Sequence, residues 1–181
     1  LCKPPCPNKQ PRQIQEWNKP PEDCLKINCD GAFSAEQMTG GWGFVVRDHQ
    51  GDICGSGAGR LRYVASATQA EAEACAAALV AASNWGMTNI QVELDCQVLV
   101  KALKGTEADR APEGLLFREI RQFARLNFST VSFSFAPRAC NKLAHALAAY
   151  GACHEASGET WSGDLPDDGA IRLASVLAEP V

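Results

Sequence analysis

Lys26-Ile27-Asn28-Cys29-Asp30-Gly31-Ala32-Phe33 is a strand-like stretch that meets a glycine directly after a carboxylate. Ile27 and Cys29 alternate with Lys26, Asn28 and Asp30, so Asp30 belongs to the polar side of a short strand and is expected at its end. Asp-Gly after a strand is equally an ordinary hairpin signal. The neighbouring segments decide between a turn and a site.

Downstream, residues 42–48 and 52–59 predict two more strands, with turns at Thr39-Gly40-Gly41 and His49-Gln50-Gly51, which makes an antiparallel meander. The alanine-rich run 66–85, closed by Gly86, predicts a long helix with a broad buried face through Ala74, Cys75, Ala78, Leu79 and Ala82. Ile90, Val92 and Leu94 alternate with Gln91, Glu93 and Asp95 in a fourth strand that again ends on an aspartate. Helices over 96–103 and 113–126, a strand through Val131, Phe133 and Phe135, and a helix over 141–150 stopped by Gly151 complete the order βββαβααβα. Strands one, four and five are separated by helices and should run parallel. Ligands of such sheets collect beyond the carboxyl ends of the parallel strands, where Asp30 and Asp95 stand.

Six of the ten prolines lie in residues 1–24, which reads as an extended linker with Trp17 and Leu25 pinning its end to the core. Residues 25–152 form the expected domain, and 153–181 a C-terminal acidic tail. The net charge of −4 comes from that tail: residues 25–152 carry twelve cations and twelve anions, against one and six in 153–181. With no dominant basic stripe, strong non-specific DNA binding is not expected. A hydrophobic content of 46% supports a core, and no apolar run approaches the ~20 residues of a membrane span. The chain begins at Leu1, so a piece of a longer protein is expected.

Nine cysteines is an odd number, and Cys29, Cys54, Cys75 and Cys96 fall inside strands or helices, where they act as small hydrophobes. Free thiols in an intracellular compartment, nuclear or cytoplasmic, are therefore expected. Cys2-x3-Cys6 and Cys24-x4-Cys29 invite a zinc reading, but the spacing is irregular.

Glu71 is the third acidic residue of interest. Helical residues turn by about 100° each, so Glu71 and Glu73 cannot serve one point, and Glu71 lies near the end of the helix closest to Asp30 and Asp95. Three converging carboxylates repel one another unless a hard cation holds them, Mg2+ above all. Each has a plainer reading: Asp30 as a turn residue, Thr68-x-x-Glu71 as a capping box, and Asp95 as a helix N-cap.

Taken in order, the motifs resemble the ribonuclease H-like superfamily, in its plant reverse-transcriptase-type branch. They are Trp17-x-x-Pro20-Pro21, Lys26 to Phe33, Gly40 to Asp48, Ala70-Glu71-Ala72-Glu73-Ala74, Val92-Glu93-Leu94-Asp95-Cys96-Gln97 and Arg138-x-x-Asn141-x-x-Ala144-His145. The resemblance spans about residues 17 to 152, with Trp161 to Pro166 also similar. It implies an α/β ribonuclease H-like fold, a five-stranded mixed sheet in the order 3-2-1-4-5 with helices on both faces. It also implies a metal-dependent endonuclease that hydrolyses the RNA strand of RNA–DNA hybrids with two ions, Mg2+ or Mn2+, about 3.5–4 Å apart. Asp30, Glu71 and Asp95 would be the metal ligands, with Asp30 shared. His145 stands where active members usually have a fourth carboxylate, either as an auxiliary catalytic group that suits Mn2+ or as a mid-helix histidine without metal contact. Gly31, Thr68, Gln97, Arg138 and Asn141 are the implied substrate-binding residues.

Ala67-Thr68 replaces the asparagine pair of bacterial relatives, and a basic handle is missing, so nucleic-acid binding should be weak. A monomer with a possible protein partner through its parent protein, and no membrane, is expected. The alternative reading is a catalytically weak or inactive module of a larger plant protein.

Overall fold

In a computed structural model, residues 17–155 and 158–177 are described. The linker reading of residues 1–16 and the thiols of Cys2 and Cys6 lie outside them. Strands β1 (Leu25–Ser34), β2 (Thr39–Arg47) and β3 (Ile53–Leu61) form the antiparallel meander. Helix α1 (Ala67–Asn84) crosses to β4 (Asn89–Leu94), and α2 (Gln97–Lys104) and α3 (Gly114–Asn127) lead to β5 (Thr130–Phe135). Strands β1, β4 and β5 are parallel as expected. A 3-10 turn over Arg138–Cys140 then starts α4 (Lys142–Cys153).

Five strands were expected and the described residues hold six: β6 (Glu159–Ser162) pairs antiparallel with β3, giving the order β5-β4-β1-β2-β3-β6. Part of the expected tail thus completes the sheet, and its Ile171–Leu177 stretch lies in helix α5 (Gly169–Leu177). Four residues beside glycine and proline carry too little alternation to read as a strand, and β6 exists because β3 offers it an edge. Trp161 secures it edge-on to Tyr150, with ring centroids 6.2 Å apart. Helix α4 also runs through Gly151, which packs against the Gly59 backbone instead of ending the helix.

The core has two layers, one on each face of the sheet. Ile27, Cys29, Phe44, Leu79, Leu94, Phe117 and Ile120 pack on the side of α1, α2 and α3. Val45, Ala58, Leu143, Leu147 and Ile171 pack on the side of α4 and α5. Each large apolar side chain so buried contributes about 1.5–3 kcal/mol. Gly43 lets α4 lie directly on β2, because a Cβ there would come within 2.2 Å of the Ala148 nitrogen.

The polar side of β1 is buried, not solvated. Lys26 Nζ pairs with Glu93 at 2.7 Å, Asn28 donates to Glu93 at 2.9 Å, and Arg47 donates to Asn28 at 2.9 Å. Trp17 closes this network, with the Arg47 guanidinium 3.6 Å from its ring centroid, and packs on Ala136 and Cys140. The expected anchoring of the incoming chain by Trp17 is therefore present. Cys24, Cys29, Cys54, Cys75, Cys96 and Cys153 are free thiols, and among the described residues no helix is long and apolar enough to cross a membrane.

Candidate active site

The β1–β4 ladder stops at the Cys29–Leu94 pair. The next residues, Asp30 and Asp95, therefore stand at the point where the two strands part. Asp30-Gly31 is not a hairpin turn: β1 continues to Ser34, with Asp30 opposite Gly43 and Gly31 opposite Trp42. Gly31 is required for a different reason. A Cβ there would lie 2.3 Å from the Ala70 carbonyl carbon and 2.4 Å from the Glu71 nitrogen. Its absence lets α1 touch the strand and delivers Glu71 to the same point.

Oxygens of Asp30, Glu71 and Asp95 all lie within 4.8 Å of one another, and among the described residues this is the metal-capable cluster. Glu73 faces a separate groove beside Trp42 and Trp85, as the helical spacing predicts. The plainer readings of Glu71 and Asp95 are replaced by other residues. Helix α1 is capped by Ser66, whose oxygen accepts from Gln69 at 3.0 Å, while Gln69 accepts from the Ala65 N–H at 2.9 Å. The N-cap of α2 is Cys96. Neither Glu71 nor Asp95 is consumed in capping.

Burial, reinforced by the charges of Asp30 and Asp95, pushes the Glu71 carboxyl up to about 9, against the lowering effect of the Gly31 N–H. Burial also raises Asp30, opposed first by its hydrogen bond to His145. Glu71 Oε2 is buried without a hydrogen-bond partner. Oxygen donors, excess negative charge and one unsatisfied buried oxygen are what a hard divalent cation requires, so these three residues fit Mg2+ or Mn2+.

His145, from the first turn of α4, places Nδ1 2.7 Å from Asp30 Oδ2. The Arg138 guanidinium lies 3.0 Å from both ring nitrogens. A carboxylate only accepts, so His145 Nδ1–H donates to Asp30, while one Arg138 nitrogen equidistant from both ring nitrogens lies over the imidazole.

The residues expected at substrate are distributed differently. Gln97 and Arg138 are exposed and Thr68 is half-buried in the first turn of α1. Gly31 is enclosed by α1, and its N–H serves Glu71. Asn141 is 1% exposed and donates to the Cys29 carbonyl at 2.8 Å, so it faces protein rather than a ligand. Sequence reasoning missed that clamp and the Arg138–His145 contact, since both join residues whose proximity no local spacing shows. Replacing Asn141 by alanine removes the donor that ties the start of α4 beside Asp30. The expected loss is about 1–3 kcal/mol, read as a lower denaturant midpoint at unchanged slope.

A mixed sheet with carboxylates at the parting of two parallel strands, and a third from the crossing helix, defines a ribonuclease H-like protein. The chain belongs to the reverse transcriptase-like family, whose model matches residues 28–151. Among solved structures, ribonuclease H1 from the halophilic archaeon Halobacterium salinarum is 30% identical with a TM-score of 0.62, over 71% of this chain and 96% of that one. The N-terminal ribonuclease H domain of a Mycobacterium tuberculosis protein, fused to maltose-binding protein, is 22% identical with a TM-score of 0.65, over 71% and 93%. LC11-RNase H1, isolated from compost and solved in complex with an RNA/DNA hybrid, is 21% identical with a TM-score of 0.62, over 70% and 94%. These last two share the fold. No curated protein matches the chain.

Proposed function

We propose that the protein is a metal-dependent endonuclease that hydrolyses the RNA strand of RNA–DNA hybrids, with Mg2+ or Mn2+ held by Asp30, Glu71 and Asp95. The observation that carries this reading is the three-carboxylate cluster within 4.8 Å, which leaves Glu71 Oε2 without a partner. A divalent cation bound there polarises a phosphoryl oxygen and makes water a stronger nucleophile. Asp30, 2% exposed and hydrogen-bonded by His145, is held in one orientation at the centre of the cluster. Arg138, exposed and 3.0 Å from His145, is the guanidinium that we assign to a substrate phosphate. The complex of LC11-RNase H1 with an RNA/DNA hybrid supports the choice of substrate. Net charge of −4 fits weak binding in which neighbouring domains or a protein partner of a plant or retrotransposon-derived parent raise the local concentration.

The competing reading, a catalytically weak binding module, draws on the fourth position, where His145 replaces a carboxylate. Cleavage of a labelled hybrid separates the two. Wild type should cleave in Mg2+ or Mn2+, and Asp30→Asn should be slower by roughly a hundredfold or more, since even outer partners of a metal site are worth 10–100-fold. Equal rates for the two proteins in both metals would sink the nuclease reading.

A further inference from the structure

We propose that Arg60, Arg62 and Tyr63 form a second nucleic-acid contact. The two guanidiniums take phosphates of the RNA–DNA hybrid away from the scissile step, and the Tyr63 ring packs on a sugar beside them. This rests on the reading of the protein as a hybrid nuclease, and it names where the substrate is gripped outside the carboxylate cluster.

Arg60 and Arg62 line a polar cavity of about 430 Å3 together with Thr39 and Glu155. Two cations meet one anion there, and Glu155 pairs with neither of them. Among the described residues no carboxylate or carbonyl accepts from either guanidinium, the last carbonyls of α4 included. An arginine kept for structure fills its donors from the protein, as Arg121 does with Asp109 and the Ala102 carbonyl. Arg60 and Arg62 keep theirs for a ligand, and phosphate oxygens match a guanidinium in both charge and fork geometry. Tyr63, the next residue, is 90% exposed, more than any other large apolar side chain among the described residues. Its backbone is fixed on both sides. Arg60 is paired with Gly41 in the sheet, and the buried Val64 donates to the Met38 carbonyl at 3.0 Å.

The register places this contact at the same end of the sheet as the cluster. Asp30 stands opposite Gly43, Gly43 opposite Ala58, and Arg60 two residues beyond Ala58 toward the carboxyl end of β1. Strands lie ~4.8 Å apart and rise ~3.3 Å per residue, so the Cα atoms of Arg60 and Asp30 are about 12 Å apart. A nucleic-acid strand advances ~3.4 Å per nucleotide, which puts the arginines roughly three to four nucleotides from the phosphate at the cluster. Both sites border α4, the cluster at His145 and the cavity at Glu155, just past Cys153. One duplex therefore reaches both.

Fluorescence anisotropy of a labelled RNA–DNA hybrid, titrated with the whole chain in chelator between about 50 and 200 mM salt, tests this without any cleavage step. Arg60→Ala with Arg62→Ala should weaken binding at least about tenfold. It should also make the slope of log K against log salt shallower by about 1.8, since each neutralised phosphate contributes about 0.9. Arg60→Lys with Arg62→Lys should keep the wild-type slope. Tyr63→Ala should weaken binding at least about threefold at unchanged slope, the worth of partly burying an aromatic ring, and Tyr63→Phe should match wild type. All three side chains are at least partly exposed, so folding should persist, and a thermal melt of each variant checks it. Unchanged affinity and slope in the double alanine variant overturns the inference, as does a wild type that does not bind the hybrid. Inorganic phosphate is the second probe: calorimetric binding that needs Arg60 and Arg62, with hybrid affinity equal in all proteins, assigns the cavity to a free anion and also overturns it. Cleavage of the same hybrid by wild type in Mg2+ or Mn2+ judges the nuclease reading separately. A lost slope without cleavage in either metal leaves this contact standing and removes the nuclease.

Discussion

Metal-free protein should lose thermal stability as the pH is raised from about 5 to about 9, and millimolar Mn2+ should cancel the loss. The cause is Glu71, whose carboxyl is pushed from 4.5 up to about 9 by burial and by the charges of Asp30 and Asp95. Below 4.5 the group is protonated in both folded and unfolded chains, and its contribution to stability is fully present. Above 4.5 the unfolded chain releases the proton while the folded chain still holds it, so stability falls until the folded group titrates near 9. At about 1.36 kcal/mol per pH unit between 4.5 and about 9 this linkage is worth up to roughly 6 kcal/mol, and a fall of at least about 2 kcal/mol, or about 4–8 °C in melting temperature for a domain of this size, is expected. Bound cation reverses the balance because it favours the ionised cluster. At a hundred times its dissociation constant it adds about 2.7 kcal/mol. Glu71→Gln should flatten the metal-free profile between pH 5 and 9 and should weaken the stabilisation by Mn2+. A wild-type profile already flat without metal would show that Glu71 is ionised on its own and that the cluster needs no counter-charge.

The sequence carried most of this site in local form. Ile27 and Cys29 set the register that turns Asp30 away from the α1 core. The helical crossover through α1 brings Asp95 beside it, and the angle between Glu71 and Glu73 selects the first. What stayed hidden depends on contacts between distant segments. Asp30-Gly31 looks like a turn because the dipeptide favours one locally. It is a strand interior because α1 needs a position without a side chain. Thr68-x-x-Glu71 has capping-box spacing, but Ser66, two residues earlier, takes the N-cap and binds Glu113 at 2.6 Å. Asn141 looks like a polar residue available to ligand until the Cys29 carbonyl is found 2.8 Å away. Strand β6 needs the free edge of β3 before its four residues have a reason to be extended. Patterns of spacing report which face a residue occupies, and they are silent about which distant backbone group waits on that face.

Gly31→Ala should be the most damaging single-methyl change among these positions, although both residues are small and β1 is extended. The added Cβ would stand 2.3 Å from the Ala70 carbonyl carbon, 2.4 Å from the Glu71 nitrogen and 2.5 Å from the Ala70 oxygen. All three are backbone atoms of α1, which cannot rotate aside as a side chain can. The helix must shift outward, and it carries Cys75, Ala78, Leu79 and Ala82 of the core with it. Overpacking of this kind costs about 1–3 kcal/mol, occasionally more, and the high end is expected because the obstacle is main chain. Moving α1 also withdraws Glu71 from Asp30 and Asp95, so Mn2+ affinity should fall by at least about tenfold together with stability. Gly169→Ala is the matched control. It lies at the start of α5 with nothing within 4 Å of the added Cβ, and it should melt within about 2 °C of wild type. Urea midpoints and Mn2+ titrations on the three proteins decide the matter. If Gly31→Ala unfolds and binds Mn2+ as wild type does, α1 is not seated against β1 at Gly31, and the placement of Glu71 in the cluster fails with it.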